Sequence, residues 1–470
     1  MSESPPPIST LGALRSAGYQ RRSLREELRA NLLRMLKAGE ELFPGIIGYE
    51  ETVIPAVENA VLSGHDFIFL GERGQAKSRM IRALVELLDE WVPEIAGSEV
   101  RDCPFAPVSR YGKDRIAEEG EATEIAWVHR DDRYVEKLAT PDVSIADLIG
   151  DVDPIKVARG RTLADELTIH FGLLPRTNRG IFCINELPDL TEKVQVGMFN
   201  VMEERDVQVK GYQVRLPLDV LVVASANPED YTSRGRIITP LKDRYAAQIR
   251  THYPKTRALE LEIVRQEARR PDVPGIEVHV PSFLEEVVVE VTHQARQSPD
   301  VNQTSGVSVR MTLANYETLM ANAVRRALRN GDSEAVPRIS DLPALEASAT
   351  GKLELEYAGS ERSEREVIAE LVDRAVRVVF EGLAPAEGLA PVVEAFDQGW
   401  QVEVSEDMPA AEYLEGLDQI PGLREGAAAL GGGDSPERLA SAIEFILEGL
   451  HLQNRLNKNE RDGKVRYAQG

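Results

Sequence analysis

The stretch HDFIFLGERGQAKS, residues 65–78, decides the fold. Its first half is a short, nearly continuous apolar run, the pattern of a strand buried on both faces of a sheet. Its second half, Gly71-Glu72-Arg73-Gly74-Gln75-Ala76-Lys77-Ser78, leads directly into a helix-like stretch over 77–91. A phosphate-binding loop needs this order of strand, loop and helix. Gly71, Gly74, Gln75 and Ala76 make a compact turn whose backbone N–H groups face phosphate oxygens, and the helix N-terminus adds positive potential. Lys77 reaches the β- and γ-phosphates of ATP, and Ser78 offers its hydroxyl to Mg2+. Glycine is usual at position 76; alanine fits there if its φ is negative. The alternative is a glycine turn before an ordinary helix, and the placement of all three parts speaks against it.

Working outward, GIFCIN (180–185) and DVLVVASAN (219–227) are two more apolar runs of the buried-strand kind. The first ends in Asn185-Glu186. In phosphate-loop ATPases the apolar strand ends in Asp, which supports Mg2+, then Glu, which activates the attacking water. Asn185 can hold a water on the metal but brings no charge. The third run ends in Ser225-Ala226-Asn227-Pro228, which puts Asn227 where it can orient the lytic water. An Asn-Pro turn is the competing reading. Residues 190–204 read as a helix with Leu190, Val194, Met198 and Val201 on one face, and 207–216 as a hairpin inserted before the third strand.

Beyond these strands, Thr239-Pro240-Leu241-Lys242-Asp243-Arg244-Tyr245 offers an arginine for the γ-phosphoryl group of a neighbouring subunit. Arg244 is the first choice, with Arg234 and Arg236 as rivals and an intramolecular salt bridge as the alternative. After Pro254 the strands are expected to stop. Helical patterns follow at 255–270, 281–297, 311–330 and 363–381. Ser308-Val309-Arg310 opens one of them, and Arg310 there can sense the γ-phosphate or simply belong to a helix cap. The expected divisions are an N-terminal arm and helix (1–43), a nucleotide-binding core (44–255), a helical lid (256–384) and a helical C-terminal extension (385–470). The arm's helix begins at Ser23, carries Leu24, Leu28, Leu32, Met35 and Leu36, and stops near Gly39.

The bulk properties limit the function. At 470 residues, 42% hydrophobic and 28% charged, the chain has the composition of a multi-domain globular protein. No apolar run reaches the ~18 residues that span a bilayer, and the N-terminus does not read as a secretory signal, so a cytoplasmic protein away from membranes is expected. Two cysteines, Cys103 and Cys183, give neither a disulfide framework nor a zinc site and read as reduced thiols. The net charge of −23 repels phosphate backbones, so nucleic acid is not expected as a partner. The basic clusters at 15–37 and 455–466 are interleaved with acids and read as solvated or subunit-contacting helix faces.

In order, the motifs resemble those of AAA+ ATPases with a hairpin before the first sensor. Within that group the text is similar to the magnesium chelatase ATPase subunit (subunit I) and the MoxR-type proteins. The likeness rests on GIIGYEETVIPAVENAV (45–61), DCPFAP (102–107), LIGDVD (148–153) and GLLPRTNRGIFCINE (172–186), and covers about 44–320. The fold it implies is α/β, an AAA+ P-loop αβα sandwich with a parallel sheet, followed by an all-helical lid. It further implies a homo-oligomeric ring, a hexamer or similar, with ATP between subunits, and a partner carrying a von Willebrand A-type domain. By carry-over, Lys77 and Ser78 bind nucleotide and Mg2+, Glu186 is catalytic, Asn227 is the first sensor, Arg244 the arginine finger and Arg310 the second sensor. Ala76 and Asn185 depart from the pattern.

The leading reading is an ATP-hydrolysing motor that remodels or activates a partner protein, such as a metal-insertion or cofactor-maturation complex. A nucleotide-gated scaffold with little turnover is the alternative that Ala76 and Asn185 suggest. An AAA+ transcription activator acting on RNA polymerase would carry a Gly-Ala-Phe-Thr-Gly-Ala loop, which this sequence lacks.

Overall fold

A computed structural model describes residues 4–153, 166–207, 216–227, 235–303, 305–356, 362–383, 388–417, 420–433, 435–461 and 464–469. The chain divides into two compact units, Met1–His252 and Tyr253–Gly470.

The first unit is built on five strands, β1 (Phe67–Leu70), β2 (Tyr134–Leu138), β3 (Gly180–Asn185), β4 (Val220–Ala226) and β5 (Ala247–Arg250). Every pairing is parallel and the order across the sheet is β2-β3-β4-β1-β5. Parallel strands must be covered on both faces, which is why β3 and β4 are buried throughout and apolar but for Asn185 and Ser225 near their carboxyl ends. Phe67, Phe69, Ile181, Cys183, Leu221, Val223 and Ile249 face one apolar core. That core is shared with α1 (Leu24–Ala38), α2 (Val53–Ser63) and α3 (Lys77–Ala83). Ile68, Phe182, Ile184, Val220, Val222 and Ala224 face the other core, with Leu190, Val194, Met198 and Val201. The result is an αβα sandwich.

Residues 1–43, expected as a separate arm, contribute α1 to the first of these cores. Its ends are as read: Ser23 and Glu26 form a capping box, and Gly39 closes the helix in the left-handed region at φ 71°. What ties α1 down is a buried ion pair. Glu27 accepts from both terminal nitrogens of Arg133, at 2.6 and 2.8 Å, while Arg133 Nε donates to the Arg179 carbonyl at 2.8 Å. Glu27 also accepts the Asp89 N–H at 2.6 Å. Both side chains are nearly inaccessible, so each charge depends on the other.

Two helix expectations need correction. The helix read over 77–91 ends at Ala83, passes through a short tight turn at Leu84–Leu87, and gives way to a strand, Trp91–Ile95, paired with Ile125–His129. Pro93 cannot sit inside a helix, and Trp91-Val92 favour a pleated surface. The helix read over 190–204 is broken into Glu192–Gly197 and Phe199–Glu203, with glycine at the break. Most of the hairpin expected at 207–216 lies outside the described residues; Val207 and Leu216 are buried. The first unit ends with α4 (Thr239–Arg244) and β5.

The second unit carries the expected helices as α5 (Arg257–Glu267), α6 (Ser282–Gln297), α7 (Val309–Asn330) and α8 (Glu364–Leu383), and the last long helix as α9 (Pro436–Leu452). The division expected at 385 is not a boundary between cores. One apolar cluster runs from Val264 to Tyr467, and Phe445 of α9 stacks on Phe283 at 4.5 Å and meets Phe380 edge-on at 5.5 Å. A β-carbon on Gly449 would lie 2.2 Å from the Phe380 ring, so only glycine lets α9 approach α8 this closely. Nor do the strands stop at Pro254. Val402–Val404 (β6), Leu456–Arg461 (β7) and Lys464–Gln469 (β8) form an antiparallel sheet in the order β6-β8-β7. The basic cluster at 455–466 thus lies on a β-ribbon, where Lys458 pairs with the buried Glu448 at 2.9 Å.

The Glu27–Arg133 pair makes α1 part of the first unit's stability. Glu27→Ala leaves a buried guanidinium without its counter-charge and lowers the unfolding free energy of that unit by about 3–5 kcal/mol. Urea denaturation followed by circular dichroism reads this as an earlier first transition, whereas an exposed pair such as Arg15–Glu121 changes it by under about 1 kcal/mol.

Candidate functional site

Because β4 lies between β1 and β3, the carboxyl ends of these three strands are adjacent, and the three motifs read separately in the sequence meet there. Lys77, at the start of α3, donates to the carbonyls of Gly71 and of Glu72, the latter at 2.7 Å. It also donates to Asn227 Oδ1 at 2.6 Å. Asn227 in turn donates from Nδ2 to Glu186 Oε2 at 2.7 Å. An ammonium on one side and a carboxylate on the other fix which way this amide faces. Loop lysine, polar strand-end residue and acidic residue are therefore one hydrogen-bonded chain. Lys77 and Asn227 are buried and Glu186 is partly so.

The loop is braced from outside its own sequence. Tyr49 donates its hydroxyl to the Gln75 carbonyl at 3.1 Å and the His252 carbonyl at 2.8 Å, and burial pushes its own pKa up to about 12. Thr251, after β5, donates to Gln75 Oε1 at 2.6 Å. A β-carbon on Gly71 would fall 1.9 Å from Thr251 Oγ1 and 2.3 Å from Gln75 Oε1, so that close approach requires glycine. Beside the loop is a cavity of about 270 Å³ lined by Leu70, Gly71, Glu72, Gln75, Lys242, Arg250 and Thr251. Two of its lining side chains are cationic.

Two residues here have left-handed backbones. Ala76 caps α3 at φ 55°, ψ 12°, so the negative φ expected for it is corrected: it adopts the conformation that a glycine would adopt freely. Glu186 sits at φ 55°, ψ 47°, and its N–H is held by Ser225 Oγ at 3.3 Å. Non-glycine residues persist in this region only when their surroundings impose it.

Asn185 ends β3 buried. Its Oδ1 accepts from Ser225 Oγ at 3.1 Å, and its Nδ2 donates to Glu136 on the adjacent β2. The Arg82 guanidinium beside Glu136 holds that carboxyl below the usual range. Cys183, two residues earlier on β3, is pushed up to about 12 by burial, with the Glu136 charge adding to the effect, so it is a neutral thiol. Cys103 and Cys183 are both free and buried.

The arginines are placed differently from one another. Arg244 folds back onto its own chain: it donates to the Pro240 carbonyl at 2.7 Å, pairs with Glu203 and lies over the Phe199 ring at 4.4 Å. Within its own chain Arg244 thus makes the intramolecular salt bridge. Arg236 is 74% exposed and stands 3.8 Å from Glu192, longer than a hydrogen bond. Arg234 lies outside the described residues. Arg310 belongs to the second unit, where Ser308 caps α7 by accepting the Arg310 N–H at 3.1 Å and the arginine side chain is exposed.

Glu136, Tyr49, Thr251 and Arg250 are site residues that the sequence reading passed over. Glu136 had no local signal, since β2 is a half-exposed edge strand on which a charged residue is ordinary. Among the described residues no group of three or more His, Cys, Asp or Glu could hold a metal ion. Nor is any helix among them long and apolar enough to cross a membrane.

Comparison with known proteins agrees with the sequence resemblance. The magnesium-chelatase subunit ChlI of Nostoc sp. is 28% identical over 256 residues, covering 53% of this chain and 63% of its own. The magnesium-chelatase 38 kDa subunit of Cereibacter sphaeroides is 26% identical over 233 residues, covering 47% of this chain and 62% of its own. The chain therefore spans about three-fifths of the length of these curated relatives. A model of the Sigma-54 interaction domain matches residues 162–242. The complex between subunits BchI and BchD of magnesium chelatase overlaps 70% of this chain and 98% of the matched one, at 20% identity and a TM-score of 0.34, too loose a superposition to build on.

Ala76 stores strain that glycine would not. Ala76→Gly raises the unfolding free energy of the first unit by about 0.5–1 kcal/mol, the left-handed penalty less the added chain entropy of glycine. Ala76→Val lowers it, because a β-branched residue tolerates positive φ least. Urea midpoints of the three proteins check the order.

Proposed function

We propose that this chain is an ATP-hydrolysing AAA+ motor subunit that acts in a ring on a partner protein. The observation that carries the reading is the hydrogen-bonded chain Lys77–Asn227–Glu186 at the carboxyl ends of three adjacent strands.

The residues present suit a nucleotide with Mg2+. The loop offers an ammonium, backbone N–H groups and the Ser78 hydroxyl, and Lys242 and Arg250 line the cavity beside it. The oxygens of Ser78, Asn185 and Glu186 are hard donors and the Cys183 thiol on β3 stays protonated, which suits a hard cation. When bound, Mg2+ would neutralise charge on the β- and γ-phosphate oxygens.

The chain's own groups divide the remaining work. Lys77 binds the β- and γ-phosphates, exchanging its carbonyl partners for phosphate oxygens. Glu186 accepts the proton of the attacking water, and Asn227 orients that water. Since Asn227 bonds both to Lys77 and to Glu186, movement of the ammonium toward phosphate shifts the amide that holds the base. Gly71, Gly74, Gln75 and Ala76 shape the loop, and Asn185 holds a metal-bound water.

An arginine from the neighbouring subunit would complete the site. With Arg244 occupied by Glu203 and Phe199, we assign this role to Arg236. Arg310 on the lid senses the γ-phosphate, and a hydrolysis-dependent change of lid angle is the output. A ring of about six copies, ATP between subunits, and a von Willebrand A-domain partner belong to this reading, as the sequence resemblance implies. So does a role in metal insertion or cofactor maturation. The Sigma-54 model match favours a second reading, an activator of RNA polymerase, against which stands the missing Gly-Ala-Phe-Thr-Gly-Ala loop.

Steady-state ATP hydrolysis by the purified chain with Mg2+ tests the reading. Lys77→Ala and Glu186→Gln are each expected to lower turnover by about 100-fold or more, with nucleotide binding kept only in the second. A parent that binds ATP but does not turn it over, with or without a von Willebrand A-domain partner, would make it a nucleotide-gated scaffold. Mixing Arg236→Ala chains with Glu186→Gln chains is expected to restore part of the activity, since each supplies what the other lacks across an interface. The same mixture with Arg244→Ala identifies the finger if Arg236 is not it.

A further inference from the structure

In the phosphate-loop pattern β3 ends in an aspartate, and here it ends in Asn185, which carries no charge. The neighbouring strand supplies one. β2 runs parallel to β3 with Glu136 opposite Cys183 and Leu138 opposite Asn185, so the Glu136 side chain reaches one step along the strand to the Asn185 amide. Glu136 is only 23% exposed and takes four donors: Asn185 Nδ2, the Tyr134 hydroxyl at 3.0 Å, and Arg82 Nε and Nη2 at 2.8 and 3.0 Å. Arg82 lies one helical turn beyond Ser78 on α3, so the carboxylate faces the same helix that presents the loop hydroxyl.

The consequence for Asn185 is a fixed orientation. A carboxylate accepts only, so it claims the NH2 end of the amide and turns Oδ1 the other way, onto Ser225 Oγ at 3.1 Å. Ser225 Oγ also accepts the Glu186 N–H at 3.3 Å. One polar path thus runs from Glu136 through Asn185 and Ser225 to the backbone of the residue proposed as base. Asn185 Oδ1 accepts from Ser225 Oγ and, at 3.5 Å, from Cys183 Sγ, while the Glu136 carboxylate stands on the NH2 side of the amide.

We propose that Glu136 and Asn185 are a charge-exchanged pair, in which Glu136 supplies from the adjacent strand the negative charge that β3 lacks and fixes the orientation of the Asn185 amide. Glu136 acts through Asn185 and is a positioning residue. The inference rests on the reading of the site as one for nucleotide with Mg2+. A site with Asn at the usual aspartate position would by this means keep a negative charge near a bound divalent cation. An aspartate at 185 beside Glu136 would set two carboxylates within hydrogen-bonding distance, and each would oppose ionisation of the other.

The test measures metal affinity in the full chain, independently of turnover. Fluorescent ADP is bound in metal-free buffer after EDTA has been dialysed away, and Mn2+ is titrated in, with free Mn2+ read by electron paramagnetic resonance. Glu136→Gln keeps the shape and removes the charge, and is expected to raise the Mn2+ dissociation constant about tenfold or more, as loss of a group behind a metal ligand does. Asn185→Asp alone is expected to give no tightening. The double variant Glu136→Gln/Asn185→Asp is expected to return the constant to within about threefold of the parent, since it moves the same charge to the other strand. Arg82→Ala separates this role from a plain ion pair: it frees the carboxylate and is expected to leave Mn2+ affinity equal to the parent's or tighter. Mn2+ affinity unchanged in Glu136→Gln, or weakened as much by Arg82→Ala, or no rescue in the double variant, overturns the pairing. If the parent binds no fluorescent ADP at all, the nucleotide reading itself fails and this inference with it. ADP binding without the Glu136 effect sinks the inference alone.

Discussion

Everything at the candidate site depends on β4 being inserted between β1 and β3. The phosphate-loop lysine follows β1 and the acidic residue follows β3, so the two are not on adjacent strands. Asn227 at the end of β4 spans the gap, accepting from Lys77 at 2.6 Å and donating to Glu186 at 2.7 Å. A sheet without β4 between β1 and β3 would leave these groups apart. The sheet keeps its order because both faces are buried, and a strand that slipped by one residue would exchange the two apolar cores.

This constraint explains why some residues carry strain. The chain must leave β3 sharply, and Glu186 takes a left-handed backbone to do so while its side chain turns back to Asn227. Ala76 does the same where the loop enters α3. Such conformations cost free energy and are held by their surroundings, here by Ser225 at Glu186 and by the bracing of the loop by Tyr49 and Thr251. The N-terminal helix belongs to the same framework, because Glu27 anchors it through Arg133, next to the start of β2.

The parts legible in the sequence were those with a local signature. Apolar runs gave the three central strands, Ser23 and Gly39 gave the ends of α1, and Lys77, Asn227 and Glu186 stood at strand ends where they could be picked out one by one. What escaped depends on strand order or on distant contacts. Glu136 has meaning only once β2 is known to lie beside β3, and Thr251 only once β5 is known to lie beside β1. Arg244 ranked ahead of Arg236 in the sequence, and only the fold reveals that Glu203 and Phe199 hold Arg244 within its own chain. The β-ribbon of the second unit was missed for a different reason. Its basic residues suggested a solvated helix face, although an Asp-Gly pair at 462–463 was a strong hairpin signal in the sequence. The supposed extension after 385 was read from Pro and Gly content, while the apolar residues around α9 already required burial on all sides.

The most direct measurement is isothermal titration calorimetry of the purified chain with a non-hydrolysable ATP analogue and Mg2+. If the strand ends form one nucleotide site, binding saturates at one molecule per chain, Lys77→Ala abolishes it, and Asn227→Ala weakens it. Absence of binding by the parent, or binding that neither substitution changes, would contradict the placement of the site at the ends of β1, β3 and β4.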